Sequence, residues 1–363
     1  MTRTLRWVDR DDKKVDICSV RKYTVLPDRT KITVNLSIVV FKMGDVWKHP
    51  VGVDPVSLYP PPRDLSTRVF SKLPEAFWED GNSDWVRANK PGQKIKSFLE
   101  GPSFDLQGNL YVTDIPYGRI FRIDTHGHWT LVTQYDGWPN GLKIHRDGRI
   151  FIADYKQGIL TLDPKSGALT PLLTHSRSEG FKGVNDLFFD AAGKLYFTDQ
   201  GQTGQQDPSG RVYSYDLDKQ MLNCLIANGP SPNGLVMDLE QKALLVAMTR
   251  GNAVWRLPIQ TDGGTSKVGI FAAMAGGVSG ADGMALDSLG NLYVCDAGNG
   301  CVWVFDPHAV PLYRIRSCTE GRTLTNLAFG GEGNRQLFMT DSSTSTILVA
   351  DLEHSGQPMF SHR

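Results

Sequence analysis

Hydrophobic and polar positions follow a short beat along this chain from about residue 97. Six segments align: EGPSFDLQGNLYVTD from Glu100, NGLKIHRDGRIFIAD from Asn140, NDLFFDAAGKLYFTD from Asn185, NGLVMDLEQKALLVAMT from Asn233, DGMALDSLGNLYVCD from Asp282 and NLAFGGEGNRQLFMTD from Asn326. Successive segments start 40 to 49 residues apart. Each has a short apolar run, a polar turn, and a second run of β-branched and aromatic residues, which is the signature of a hairpin. A third apolar run follows in every case: RIFRID, GILTLD, RVYSYD, AVWRLP, CVWVFD and TILVAD. A fourth is visible in several, such as WTLVTQY and LNCLIA. Four short strands per repeat of this length describe a propeller blade. The pattern predicts an all-β fold, a six-bladed β-propeller with an N-terminal extension.

A propeller must close its ring, and only about a dozen residues follow Asp351. An upstream strand is therefore expected to complete the sixth blade, within residues 66–73, at Arg68–Leu73 (RVFSKL). The propeller domain then runs over 66–363. Residues 1–65 fall outside the repeat and are expected to form an extension of unassigned role, packed on the propeller or partly a disordered arm. Within it, TVLPDRTKITVNLSIVV is a candidate hairpin, and the Pro-rich Leu58–Asp64 is a stiff connector.

Composition narrows the partners. The 363 residues carry 39 Lys plus Arg and 39 Asp plus Glu, so there is no basic excess of the kind nucleic-acid binders use. The longest apolar stretch, Ile32–Phe41, is too short and too polar to span a bilayer. The opening MTRTLRWVDRDDKK has no apolar core of a secretory signal. Five cysteines, at 18, 224, 295, 301 and 318, are odd in number and show no CxxC pair. A cytoplasmic protein with reduced thiols is expected, acting on a small molecule, with no nucleic-acid or membrane partner.

The first residues of the six segments are Glu100, Asn140, Asn185, Asn233, Asp282 and Asn326, and all carry side-chain oxygens. In a propeller the innermost strand of each blade lines the central channel, so equivalent positions form a ring around the axis. Such a ring suits a hard divalent cation, calcium before magnesium, because calcium takes six to eight oxygens in irregular geometry. Glu100 and Asp282 would balance its charge. No His or Cys stands in the ring, which disfavours zinc and copper. Pro-Asn-Gly, at 139–141 and 232–234, is also a turn signature on its own. Glu100 and Asp282 keep the position while breaking that signature, which favours the cation. The aspartates that end the second strands, Asp114, Asp154, Asp199, Asp296 and Asp341, are expected to cap turns. No GxSxG elbow and no Gly-rich phosphate loop is present.

Together, Leu99-Glu100-Gly101-Pro102, Gly183-Val184-Asn185-Asp186 with Leu195–Asp199, Ser231-Pro232-Asn233-Gly234, and Ala281-Asp282-Gly283-Met284 with Leu292-Tyr293-Val294 resemble the gluconolactonase, senescence-marker-protein (regucalcin) and luciferin-regenerating-enzyme family. The resemblance covers about residues 97 to 352. It implies a six-bladed propeller with an axial divalent metal, usually calcium, and hydrolysis of sugar or other lactones. It implies Glu100, Asn185, Asn233 and Asp282 as metal ligands, Asp282 also as catalytic base, and Asn140 as a funnel-lining residue. Where some sugar lactonases place an arginine just before the third-blade asparagine, this chain has Phe181-Lys182-Gly183.

The expected activity is metal-dependent opening of a lactone, with the cation polarising the carbonyl and Asp282 as general base or nucleophile. Asn140 and Asn326 are expected to hold substrate oxygens, and Trp138, Tyr117, Tyr155 and Lys182 to line the pocket mouth. Two rival readings remain open. One is an organophosphate or other ester hydrolase on the same metal. The other is a non-catalytic binding propeller like NHL repeats.

Overall fold

The second strand of each blade is a run such as LYVTD (Leu110–Asp114) or IFIAD (Ile150–Asp154), and these two are buried at every position. A strand buried on both faces must be covered from two sides, and a ring of sheets supplies both covers at once. In the computed structural model this ring is formed by residues of the unit that follows Leu58. The structure describes Trp7–Val8, Lys14–Val15, residues 62–274 and residues 280–363. In the preceding unit, Trp7–Val8 pairs antiparallel with Lys14–Val15. The candidate hairpin of the first 65 residues lies outside the described residues.

Six sheets follow one another in chain order, each starting with its inner strand: Leu99–Phe104, Pro139–Ile144, Val184–Phe189, Pro232–Met237, Gly280–Leu286 and Leu324–Gly330. Neighbouring strands within each repeat are antiparallel. The fourth strand of blade six is Arg68–Lys72, which pairs antiparallel with Thr346–Asp351 and joins the beginning of the propeller to its end. Blade five gains a fifth strand, Arg63–Ser66, parallel to Pro311–Arg316. A domain boundary at residue 65 therefore cuts through a strand, and Arg63 and Asp64 are sheet residues rather than connector. The apolar pattern could not announce this strand, because its residues are mostly exposed. Charge holds it in register: Arg314 Nε donates to Asp64 Oδ1 at 2.8 Å, and Arg316 pairs with Asp64 Oδ2 at 3.1 Å.

Apolar side chains collect between blades rather than in one central core. Leu142, Ile152 and Leu160 meet Tyr111 and Ile120 between blades one and two. Phe121, Val112 and Leu99 meet Phe338 and Val349 between blades six and one. Every neighbouring pair of blades shares such a cluster. The channel end away from the strand starts is floored by the C-terminal segment, where Gln357 N donates to Leu286 O at 2.8 Å. Above that floor lies a cavity of about 60 Å³, lined by Val236, Leu327, Met359 and Phe360 among others.

Candidate metal centre

In each blade the inner strand carries an irregularity at the candidate position, where its register against the second strand shifts. A bulge of this kind re-aims a side chain out of the pleat. Threonines of the second strands then fasten one blade to the next. Thr113 Oγ1 donates to Asn140 O at 2.7 Å, and Thr198 Oγ1 to Asn233 O at 2.8 Å.

The pairing defines two levels in the channel. Leu99, Pro139, Val184, Ala281 and Leu324 each pair with the aspartate that ends the second strand of their blade, and Pro232 with Met248 in the fourth. The residues just after them form the upper level: Glu100, Asn140, Asn185, Asn233, Asp282 and Thr325. The sixth position thus belongs to Thr325 and not to Asn326, because the sixth repeat reaches its inner strand one residue earlier. The lower level is Gly101, Gly141, Asp186, Gly234, Gly283 and Asn326. Two of its four glycines, Gly141 and Gly283, clear room for two side chains from opposite blades, while Gly101 and Gly234 admit the backbone of the next blade. A Cβ on Gly141 would stand 2.2 Å from Asp186 Oδ1, and one on Gly283 would stand 2.3 Å from Asn326 Cγ.

Hydrogen bonds tie the levels together. Asn326 Nδ2 donates to Glu100 Oε2 at 2.9 Å and to Asp186 Oδ2 at 3.1 Å. Glu100 Oε2 also accepts from Gly101 N at 2.8 Å. Asn326 Oδ1 accepts from Leu327 N at 2.9 Å, and the residue is buried. Its amide nitrogen and oxygen are thus both engaged inside the protein, the nitrogen on Glu100 and Asp186. Thr325 Oγ1 likewise serves the frame, donating to Leu99 O at 3.0 Å.

The upper-level amides are held from behind. Asn185 Nδ2 donates to Gln200 Oε1 at 2.9 Å, and Gln200 Nε2 donates to Ser231 Oγ at 2.9 Å. Asn233 Nδ2 donates to Thr249 Oγ1 at 3.1 Å. Two oxygens of the level have no hydrogen-bond partner although they are buried: Asn185 Oδ1 and Asp282 Oδ1. Glu100, Asn185, Asn233 and Asp282 are each no more than 7% exposed. Buried polar oxygens are ordinarily paired, so orphans beside two carboxylates fit a positive ion. Among the described residues no three His, Cys, Asp or Glu side chains could hold a metal by themselves. Any ion here depends on amide oxygens, and an all-oxygen mixed donor set suits a hard cation.

Electrostatics agree with that fit. Burial and the charge of Asp186 push the Glu100 carboxyl up to about 7. Burial, then Glu100 and Asp186, hold Asp282 well above the carboxylate range, against a hydrogen bond from Asn233 and the charge of Lys90. Burial also raises Asp186, while Lys143 opposes the rise. Crowding of three acids in one dry space penalises their ionised forms.

The remaining candidates lie at or beside the ends of strands. Asn140 is half-buried beside Trp138. The Trp138 and Tyr155 rings lie 5.6 Å apart, and the Tyr155 hydroxyl accepts from Gln202 Nε2 at 2.9 Å. Tyr117 gives its hydroxyl to Ile95 O at 2.6 Å, and Lys182 gives its ammonium to Ser209 at 2.7 Å. These two brace neighbouring segments. A six-residue helix, Asp84–Asn89, was not foreseen from the sequence. Ser83 caps it by accepting from Val86 N, and its Trp85 and Val86 pack with Ile115, near Phe98 and Trp138. It leads into Lys90, whose charge reaches Asp282. Asp186 and Lys143 were also missed. Asp186 interrupts a glycine position, and Lys143 is a charge on an inner strand, so both carried a signal.

The aspartates that end the second strands take backbone or neighbouring donors. Asp114 accepts from Phe98 N at 2.7 Å, Asp199 from Gly183 N at 2.8 Å and Asp154 from Lys156 N at 2.8 Å. Cys224, Cys295, Cys301 and Cys318 are free thiols. Among the described residues no helix is long and apolar enough to cross a membrane.

The fold and its axial oxygen cluster define a class: six-bladed propellers whose inner strands converge on one polar centre. Comparison with known proteins narrows it. The profile of the SMP-30/Gluconolactonase/LRE-like region matches residues 98–343, and the chain belongs to that family. A lactonase, drp35, of Staphylococcus aureus (strain MRSA252) is 31% identical over 289 residues, which are 76% of this chain and 84% of that protein. Among solved structures, the calcium-binding protein regucalcin of Agrobacterium tumefaciens superposes with a TM-score of 0.63 at 21% identity, over 73% of this chain and 94% of that one. A gluconolactonase of Xanthomonas campestris gives 0.62 at 22% identity, over 70% and 86%. At these identities the two structures speak for the fold alone.

Proposed function

We propose that this protein is a metal-dependent hydrolase that opens a lactone ring at the upper end of its channel. The observation that carries the reading is the pair of buried, unpartnered oxygens, Asn185 Oδ1 and Asp282 Oδ1, in the level that Glu100 and Asn233 complete. Membership of the family and the lactonase named among its relatives support the reaction class. The mixed, all-oxygen donor set favours calcium as the ion.

Glu100, Asn185, Asn233 and Asp282 would hold the cation, which when bound supplies Lewis-acid polarisation of the lactone carbonyl. Gln200 and Thr249 fix the amide nitrogens of Asn185 and Asn233, so their oxygens are oriented before an ion arrives. Asp282 is the reacting carboxylate. It would take a proton from the attacking water and pass it to the ring oxygen as the acyl C–O bond breaks, or it would attack the carbonyl carbon itself, breaking that bond and forming an anhydride that water hydrolyses, the water's protons going to the ring oxygen and the released acid. Trp138 and Tyr155 offer an aromatic wall and Asn140 a polar contact for the substrate.

The test is a hydrolysis panel of aldonolactones, aromatic and aliphatic lactones and a phosphotriester, run with calcium and with chelator. Lactone turnover that chelator abolishes and calcium restores is the expected result. An Asp282→Ala protein should be folded by circular dichroism and inactive. Unchanged turnover after exhaustive chelation, or full activity of Glu100→Ala, would overturn the reading. Turnover confined to the phosphotriester would move the substrate class while keeping the site.

A further inference from the structure

Two residues below the lower level, the inner strands present six more equivalent positions: Ser103, Lys143, Phe188, Val236, Ala285 and Ala328, paired with Tyr111, Phe151, Tyr196, Leu245, Tyr293 and Phe338. All six line the 60 Å³ cavity above the C-terminal floor. Lys143 alone among them carries a charge. An ammonium does not settle in a wall of Phe, Val and Ala without a partner. Its Nζ lies 4.0 Å from Asp186 Oδ1 and donates to Leu142 O at 3.2 Å. The Lys143 side chain is 19% exposed and that of Asp186 is 5% exposed.

The charges can then be counted. Glu100, Asp186 and Asp282 bring three negative charges to the axis when ionised. A divalent ion in the upper level supplies two positive charges and leaves one carboxylate unbalanced. Lys143 faces the lower level, from beneath, beside the one acid the upper level does not use. Asn326, which donates to both Glu100 and Asp186, passes the arrangement from one level to the other.

We propose that Lys143 is a built-in cation of the channel: it neutralises Asp186, closes the lower level to a second metal ion, and so sets the stoichiometry at one divalent ion per chain. The inference rests on the reading of the upper level as a cation site. It makes Lys143 and Asp186 positioning residues, acting on the ion and on Glu100 through charge and through Asn326.

Purified full-length protein, stripped with chelator, is titrated with calcium by equilibrium dialysis, and its thermal midpoint is read with and without calcium. The wild type should bind one ion per chain. Lys143→Met should bind a second, and in chelator its midpoint should fall by roughly 5 °C or more, with calcium restoring it. The double variant Lys143→Met/Asp186→Asn, which removes both charges, should return to one ion and recover most of the midpoint, and it keeps the test open if the single variant folds poorly. One ion in both wild type and Lys143→Met, with equal midpoints in chelator, overturns the inference and leaves the cation site intact. No ion in the wild type overturns the cation site itself.

Discussion

Proton competition at Glu100 gives the sharpest quantitative handle on the site. Burial and the charge of the neighbouring Asp186 push its carboxyl up to about 7. A cation needs that carboxylate ionised, so binding displaces a proton below that pH. At pH 5 only about one Glu100 in a hundred is ionised, and this group alone should weaken calcium binding ~100-fold relative to pH 8. Asp282, raised well above the ordinary range by burial and by both other acids, adds to the slope. Isothermal titration of the chelated protein with calcium at pH 5, 6, 7 and 8 measures it. Glu100→Gln should bind calcium more weakly at pH 8 and show a slope shallower by one proton. Stability supplies a second check. A carboxyl whose folded pKa lies above its unfolded value of 4.5 makes the folded state hold more protons between 4.5 and about 7. The cation-free protein should therefore lose stability as pH rises through that window, and calcium should remove the loss. Calcium affinity that is flat from pH 5 to 8, or a slope that Glu100→Gln leaves unchanged, would refute the reasoning.

Two further outcomes test the frame around the site. Gly141→Ala places a methyl 2.2 Å from Asp186 Oδ1 and 2.7 Å from its Cα, and overpacking of this kind costs about 1–3 kcal/mol; thermal melts should show a drop of a few degrees and dialysis a weaker calcium site. Arg119 is 2% exposed and donates from Nε to the fully buried Asp114 at 2.8 Å, so Arg119→Met strands a buried carboxylate and should cost about 3–5 kcal/mol by denaturant titration.

The blades were legible because each is specified locally. Runs such as LYVTD, IFIAD and LYVCD show β-branched and aromatic residues bounded by turns, and every blade repeats the signal. Arg63–Ser66 escaped because its pairing rests on the ion pairs of Asp64 with Arg314 and Arg316, some 250 residues away. Nothing within Arg-Asp-Leu-Ser distinguishes it from a linker. The helix Asp84–Asn89 escaped for a related reason: six residues are too few for an apolar period, and its stability comes from Trp85 and Val86 packing on Ile115.

The channel shows where a repeat can mislead by one residue. Glu100, Asn140, Asn185, Asn233 and Asp282 align with each other in sequence and occupy one level in space. In the sixth blade both Thr325 and Asn326 carry a side-chain oxygen, and the asparagine matches its counterparts by type. Backbone pairing decides otherwise, since Leu324 pairs with Asp341 as Val184 pairs with Asp199. The composition of the next column points the same way. Glycine at 101, 141, 234 and 283 makes the two exceptions, Asp186 and Asn326, conspicuous once the register is right. They come from opposite blades and meet at 3.1 Å, in a space that Gly141 and Gly283 leave empty. A column of absent side chains, broken at two opposed positions, is thus a sequence signal for a contact across the axis. It marks the two side chains that meet beneath Glu100, where Asn326 donates to both carboxylates.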